Sequence, residues 1–75
     1  PMPKLNPLPA KKVIKKLESA GFVKTHQRGS HVYLKNADKI VTVPLHGGNK
    51  DVPIGTIHNI VVKQANLSIE KFNNL

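Results

Sequence analysis

Three short segments in the middle of the chain carry the pattern that most restricts the fold. Residues 22–27, 30–35 and 39–43 are each rich in β-branched or aromatic residues, which favours β-strands. Turn residues separate these segments, at Arg28-Gly29 and at Asn36-Ala37-Asp38. Connections this short cannot cross over a sheet to begin a parallel strand. The sequence therefore predicts three strands that pair as an antiparallel meander.

Segments with helical periodicity stand on both sides of this meander. Apolar residues recur every three or four positions over residues 9–20, and Gly21 suits a left-handed cap after them. A second helix ends at Asn66, and its predicted buried stripe is Ile57, Ile60, Val61, Gln64 and Ala65. On the second strand, Val32 and Leu34 alternate with more polar residues, which makes one sheet face aliphatic. We therefore predict an α+β two-layer sandwich of order α-β-β-β-α, with helices on one face of the sheet and the other face open.

An arm, a loop and a short last helix complete the predicted organisation. Residues 1–8 contain three of the six prolines and predict an extended N-terminal arm, followed by a single domain over residues 9–75. Residues 44–53 predict a polar loop, and a last short helix begins at Ser68. No apolar run approaches the ~18 residues of a membrane helix, so we expect neither a membrane span nor a secretory signal.

The charge of the chain restricts its partners. Twelve Lys and Arg residues stand against four Asp and Glu residues, which gives a formal net charge of +8. A positive field of this size attracts nucleic acid or an acidic protein. The chain has no cysteine, so disulfides and thiolate metal sites are excluded and a reducing compartment, the cytoplasm, is expected.

Metal and nucleotide sites are not predicted. The four histidines are irregularly spaced and do not follow a metal-ligand pattern. The glycine-containing stretch over residues 46–50 lacks the spacing of a nucleotide-binding P-loop. We therefore expect no metal ion, no nucleotide cofactor and no membrane partner.

His31 is the candidate for chemistry. It follows Gly29 and Ser30 at the start of a predicted strand. Histidine is the one side chain that ordinarily exchanges protons near neutrality, which suits acid–base catalysis. The predicted substrate-binding residues supply a turn, a hydroxyl, three cations for phosphate and one aromatic ring: Lys24, Arg28, Gly29, Ser30, Tyr33 and Lys35. An ordinary surface histidine is the simpler alternative, and His46 is a further candidate to reach a substrate.

Several motifs in register resemble the HicA toxin family. They are Val13-Ile14-Lys15-Lys16-Leu17-Glu18-Ser19-Ala20-Gly21-Phe22, Gly29-Ser30-His31, Val41-Thr42-Val43-Pro44, Pro53-Ile54-Gly55-Thr56-Ile57 and Gln64-Ala65-Asn66-Leu67-Ser68. The resemblance covers roughly residues 8–73. It departs at Asn66, where the family commonly has glycine, and at Leu8-Pro9, where many members have a Ser or Thr helix cap.

The resemblance implies a double-stranded-RNA-binding-domain-like fold and a toxin that cleaves mRNA, with the family's catalytic histidine at His31. It also implies a HicB antitoxin that binds the toxin and covers the active site. On this basis we predict a metal-independent endoribonuclease in which His31 takes the proton from a ribose 2′-OH. The second proton comes from water, from another side chain or from His31 in a later step; the sequence does not say which, and His46 is one candidate. Two alternatives stay open: a non-catalytic RNA-binding module of the same fold, and a small basic protein that binds an acidic partner.

Overall fold

The computed structural model describes residues 3–45 and 50–75, so the candidate His46 lies outside the described residues. The elements along the chain are β1 (Leu8–Pro9), α1 (Ala10–Ser19), β2 (Val23–Arg28), β3 (His31–Asn36), β4 (Lys39–Pro44), β5 (Asp51–Val52), α2 (Ile54–His58), a π-helical segment (Asn59–Gln64) and α3 (Ile69–Asn73). The predicted α+β class and its α-β-β-β-α order are confirmed. Within the described ranges, no helix is both long enough and apolar enough to cross a membrane.

The central element is a three-stranded antiparallel sheet of order β2-β3-β4, which confirms the predicted meander. The two residues Gly29-Ser30 join β2 to β3, and Arg28 lies opposite His31 on the two sides of this turn. Gly29 has a φ of 57°, and a two-residue hairpin turn needs such a positive φ at its first central position, which glycine adopts without steric cost. Because the turn is this tight, it fixes which residues of β2 and β3 face each other.

The strand β2 contains an irregularity that the sequence pattern did not predict. Lys24 pairs with Leu34, whereas His26 pairs with Tyr33, so Thr25 is an extra residue on β2. In a regular strand Lys24 and His26 would lie on the same face of the sheet. The bulge at Thr25 places them on opposite faces instead.

The core lies between the helices and one face of the sheet. Its sheet residues are Val32, Leu34, Val41 and Val43. Its helical residues are Val13, Leu17, Ile57, Ile60, Val61, Ala65 and Phe72. Burial of each larger side chain of this kind stabilises a fold by about 1.5–3 kcal/mol. The aliphatic face predicted from the alternation on the second strand is therefore the face that the helices cover.

The second helical region is not a regular α-helix along its whole length. In its π-helical segment the Ala65 N–H donates to the Ile60 carbonyl, five residues back, at 2.8 Å. Gln64 belongs to the predicted buried stripe but is only half-buried, and its Oε1 accepts a hydrogen bond from the Thr42 N–H at 2.9 Å. Gln64 therefore pairs with the outer edge of β4, while the four apolar positions of the stripe are buried as predicted.

A second, two-stranded sheet joins the beginning of the chain to the stretch after β4. β1 pairs with β5 in antiparallel fashion, with Leu8 opposite Val52. The prediction of a polar loop over residues 44–53 is therefore wrong at β5. Two residues are too few to show the alternation by which a strand is recognised in a sequence.

The N-terminal segment before β1 contacts the rest of the domain. Leu5 is only 6% exposed and belongs to the core. The Asn73 side chain of α3 donates a hydrogen bond to the Lys4 carbonyl at 2.9 Å. The sequence pattern, which predicted an extended arm over residues 1–8, gave no indication of these contacts.

Lys16 connects α1 to the end of α3. Its Nζ donates hydrogen bonds to the carbonyls of Phe72 and Leu75, each at 3.3 Å, and lies 5.3 Å from the centre of the Phe72 ring. The last carbonyls of a helix have no partner within the helix, and a cation near them is favourable. Lys16 is therefore half-buried and structural, unlike its exposed neighbours on α1.

We expect Lys16→Met to lower the free energy of unfolding by about 1–2 kcal/mol, because it removes a charged donor from the end of α3. The matched control is Lys12→Met at an exposed position of the same helix, which should change stability by less than about 0.5 kcal/mol. Urea denaturation measures both. Equal effects of the two substitutions would contradict the structural role of Lys16.

The turn between β3 and β4 contains a strained residue. Ala37 has a φ of 56°, a left-handed conformation that costs a residue with a Cβ roughly 1–2 kcal/mol. Ala37→Gly removes this strain but adds freedom to the unfolded chain, so we expect a net gain of up to about 1 kcal/mol. The control Asp38→Gly, in the same turn at a residue without positive φ, should only destabilise. Urea denaturation measures both variants, and a loss of stability in both would contradict the assignment of backbone strain to Ala37.

Candidate active site on the open face of the sheet

The sheet face that points away from the core consists of three rows of residues. We call it the open face. Residues directly opposite each other on neighbouring strands share a face, as do alternate residues along one strand. Each row takes one residue from β2, β3 and β4, and the rows are Arg28-His31-Pro44, His26-Tyr33-Thr42 and Val23-Lys35-Ile40. None of these nine residues is acidic. In a chain with a net charge of +8, the open face is therefore suited to an anion.

His31 lies at one end of the open face, as the first residue of β3. Its side chain is exposed, with Arg28 opposite on β2 and the buried Pro44 opposite on β4. Directly opposed residues have Cβ atoms about 4.5–5.5 Å apart, so the guanidinium of Arg28 is within reach of a group bound at His31. The preceding turn is tied down because the Leu45 N–H donates to the Ser30 carbonyl. The structure therefore brings together four of the predicted site residues: Arg28, Gly29, Ser30 and His31.

The other two predicted cations are not beside His31. Lys24 lies opposite Leu34, whose side chain is in the core, so Lys24 is on the other face of the sheet. Its Nζ donates to Gln27 Oε1 at 3.4 Å. Regular alternation would place Lys24 on the same face as Arg28 and His31, and the bulge at Thr25 reverses the alternation along β2.

Lys35 is on the open face but at its far end. It is four residues from His31 along β3, about 13 Å at 3.3 Å per residue. Val23 and Ile40 flank it and are 65% and 60% exposed. Lys35 therefore belongs to the same surface as His31 without touching the same bound group.

His26 is a member of the open face that was considered in the sequence only as a metal ligand. Its ring stacks on the ring of Tyr33, with the centroids 4.4 Å apart and the planes 3° from parallel. The Thr25 hydroxyl donates to the Tyr33 carbonyl at 3.2 Å and lies 3.0 Å from His26 Nδ1. One face of Tyr33, the aromatic ring among the predicted substrate-binding residues, is therefore covered by His26.

A signal for His26 was present in the sequence but was not sufficient. His26 and Arg28 are alternate residues of one strand, so a strand that presents Arg28 beside His31 also presents His26. The same rule puts Lys24 on that face, where it does not lie. The position of the bulge alone decides that His26 lies on the open face and Lys24 does not, and no residue of β2 predicts the bulge.

The described residues contain no cluster of metal ligands. Over residues 3–45 and 50–75, no group of three or more His, Asp or Glu side chains is placed to hold a metal ion. The chemistry of the open face as described is that of two exposed histidines, a tyrosine and two cations.

One comparison with known proteins identifies a family. The family model described as "HicA toxin of bacterial toxin-antitoxin" matches residues 10–67, more than half of the chain. The match includes α1, the whole three-stranded sheet and the Gly29-Ser30-His31 turn. No curated protein matches the chain.

Proposed function

The chain belongs to the HicA toxin family, and on that premise we propose that it is a metal-independent endoribonuclease that cleaves mRNA in the cytoplasm. Membership confirms the resemblance found in the sequence and makes the protein a toxin of a toxin–antitoxin system, with an antitoxin as its partner. The observation that carries the further step is the placement of His31. It is exposed beside Arg28 on a sheet face that holds no acidic residue.

In the proposed reaction His31 is the general base. Its imidazole takes the proton from a ribose 2′-OH, and the 2′-oxygen attacks the adjacent phosphate. General base catalysis of this kind contributes about 10²–10⁴-fold to a rate. Arg28 stabilises the negative charge that develops on the phosphate oxygens, because it is opposite His31 in the same row. Proton transfer by a side chain makes no demand for a metal-bound hydroxide.

The remaining predicted residues act on the substrate at different distances from the reaction. Gly29 and Ser30 approach the reacting phosphate through the turn, and Tyr33 contacts the neighbouring sugar or base. Lys35, about 13 Å away along β3, neutralises a more distant phosphate. Lys24 lies on the other face and adds to the long-range field that attracts RNA.

A HicB-type antitoxin is the proposed partner at the same surface. A surface that attracts RNA by its charge also attracts the carboxylates of an acidic protein. An antitoxin seated on the open face would exclude RNA by covering His31. Val23 and Ile40 offer exposed apolar contacts at the far end of that face.

His31→Ala should abolish cleavage of a defined RNA while leaving the fold intact, because the side chain is exposed and packs against nothing in the core. The control is His58→Ala, at an exposed position of α2, which should cleave like the wild type. Cleavage is followed in EDTA by mapping the new RNA ends, and circular dichroism checks the fold. Wild-type activity in folded His31→Ala protein would overturn the assignment. Binding without any cleavage by the wild type would favour the non-catalytic RNA-binding module.

The salt dependence of RNA binding shows which cations contact phosphate. Each phosphate contact to single-stranded RNA contributes about 0.7 to the slope of log affinity against log salt concentration. In an inactive His31→Ala background, we expect Arg28→Ala to reduce that slope by about this amount. Lys24→Ala, on the opposite face, should reduce it much less. Equal slopes for the two variants would mean that RNA does not bind along the open face.

A further inference from the structure

The proposed reaction needs two proton transfers, and His31 accounts for one. As the 2′-oxygen attacks, the bond between phosphorus and the 5′-oxygen breaks, and the leaving oxygen needs a proton. One imidazole cannot accept a proton and donate another at the same instant. That proton can come from water, from His31 in a later step, or from a second side chain on the other side of the reacting phosphate.

His26 is placed for this on the open face. It lies opposite Tyr33, and His31 is two residues before Tyr33 on β3, so the two histidines are diagonal neighbours. Diagonal neighbours on one sheet face have Cα atoms about 7–8 Å apart, a distance that long and aromatic side chains span. An attacking and a leaving oxygen on opposite sides of one phosphorus, each with a hydrogen bond of about 2.6–3.2 Å, fit between two such groups.

Thr25 determines which nitrogen of His26 exchanges protons. The Thr25 hydroxyl has a single hydrogen, which it donates to the Tyr33 carbonyl at 3.2 Å. The Thr25 oxygen, 3.0 Å from His26 Nδ1, can then only accept a hydrogen bond from that nitrogen. With the hydroxyl hydrogen donated to Tyr33, the Nδ1 of His26 carries a hydrogen in this network. Nε2 is then the nitrogen that we assign to proton exchange with the substrate.

The stack on Tyr33 fixes the plane of the His26 ring. The planes are 3° from parallel with centroids 4.4 Å apart, within the range of favourable aromatic stacking. His26 is nevertheless exposed, so its Nε2 edge is accessible to a ligand. A ring that is oriented by two contacts and open at its exchanging nitrogen suits directed proton transfer.

We propose that His26 is the general acid of the reaction, an inference that rests on the proposed endoribonuclease function. The 2′-oxygen gives its proton to His31 and bonds to phosphorus, while the bond from phosphorus to the 5′-oxygen breaks. His26 Nε2 gives its proton to that 5′-oxygen. The products are a 2′,3′-cyclic phosphate and a 5′-hydroxyl, and the proton gained by His31 balances the one lost by His26. Thr25 is a positioning residue, acting through His26 Nδ1.

A sulfur-substituted RNA tests this role directly. Once the wild-type cleavage site is mapped, the same RNA is made with sulfur in place of the bridging 5′-oxygen at that site. A thiolate leaves without needing a proton. We expect His26→Ala to cleave the ordinary RNA about 10²–10⁴-fold more slowly than the wild type and the sulfur-containing RNA at nearly the wild-type rate. His31→Ala should be slow on both, because both still need the base.

The pH dependence gives a second readout. The wild type should show a bell-shaped dependence of kcat/KM on the ordinary RNA, rising as the base loses its proton and falling as the acid does. His26→Ala should lose the fall at high pH. Thr25→Val should lower kcat and displace that fall, and Thr25→Ser, which keeps the hydroxyl, should restore it.

Three outcomes would overturn the acid role of His26. His26→Ala protein that is equally slow on both substrates, or unimpaired on the ordinary one, overturns the acid role. Rescue of His46→Ala by sulfur, with none for His26→Ala, assigns the proton to His46 instead. If the wild type cleaves no RNA, the endoribonuclease function itself fails, before any variant is compared, and the role of His26 falls with it.

Discussion

The side chains of Val32 and Leu34 extend from β3 into the core, and their burial dictates which sheet face is left for chemistry. Because side chains alternate along a strand, burying these two exposes His31, Tyr33 and Lys35 on the other side, with Tyr33 half-covered. The hydrophobic effect is the largest favourable contribution to folding, so this orientation cannot reverse without exposing the core. The position of the candidate catalytic histidine is thus a consequence of packing on the opposite face.

The bulge at Thr25 refines this arrangement on the neighbouring strand. Without the extra residue, β2 would keep one alternation along its length, and Lys24 would share a face with Arg28. With it, Lys24 faces the core side at the sheet edge, while His26 and Arg28 both face outward beside Tyr33 and His31. The residue that makes the bulge also supplies the hydroxyl that contacts His26 and Tyr33. Bulges commonly change the direction of side chains near active sites, and this one places a second histidine on the same face as His31.

The parts of the fold that could be predicted are those with a periodic signal. The three strands, the first helix with its Gly21 cap and the apolar stripe of the second helix all follow from alternation or helical spacing. The pairing of β1 with β5 and the π-helical segment have no such signal, because one is two residues long and the other changes hydrogen bonding without changing polarity. The site divides in the same way. The Gly29-Ser30 turn predicts His31 and Arg28 together, whereas the place of His26 depends on a bulge that composition does not predict.

We propose that RNA binds this protein on the open face and not on the lysine-bearing surface of α1. The most direct test is an NMR titration of ¹⁵N-labelled His31→Ala protein with a 2′-O-methyl RNA that cannot be cleaved. We expect amide shift changes at Arg28, Tyr33 and Lys35 that become smaller as salt is added. Changes confined to Lys11, Lys12 and Lys15 of α1, with the open face unmoved, would contradict it.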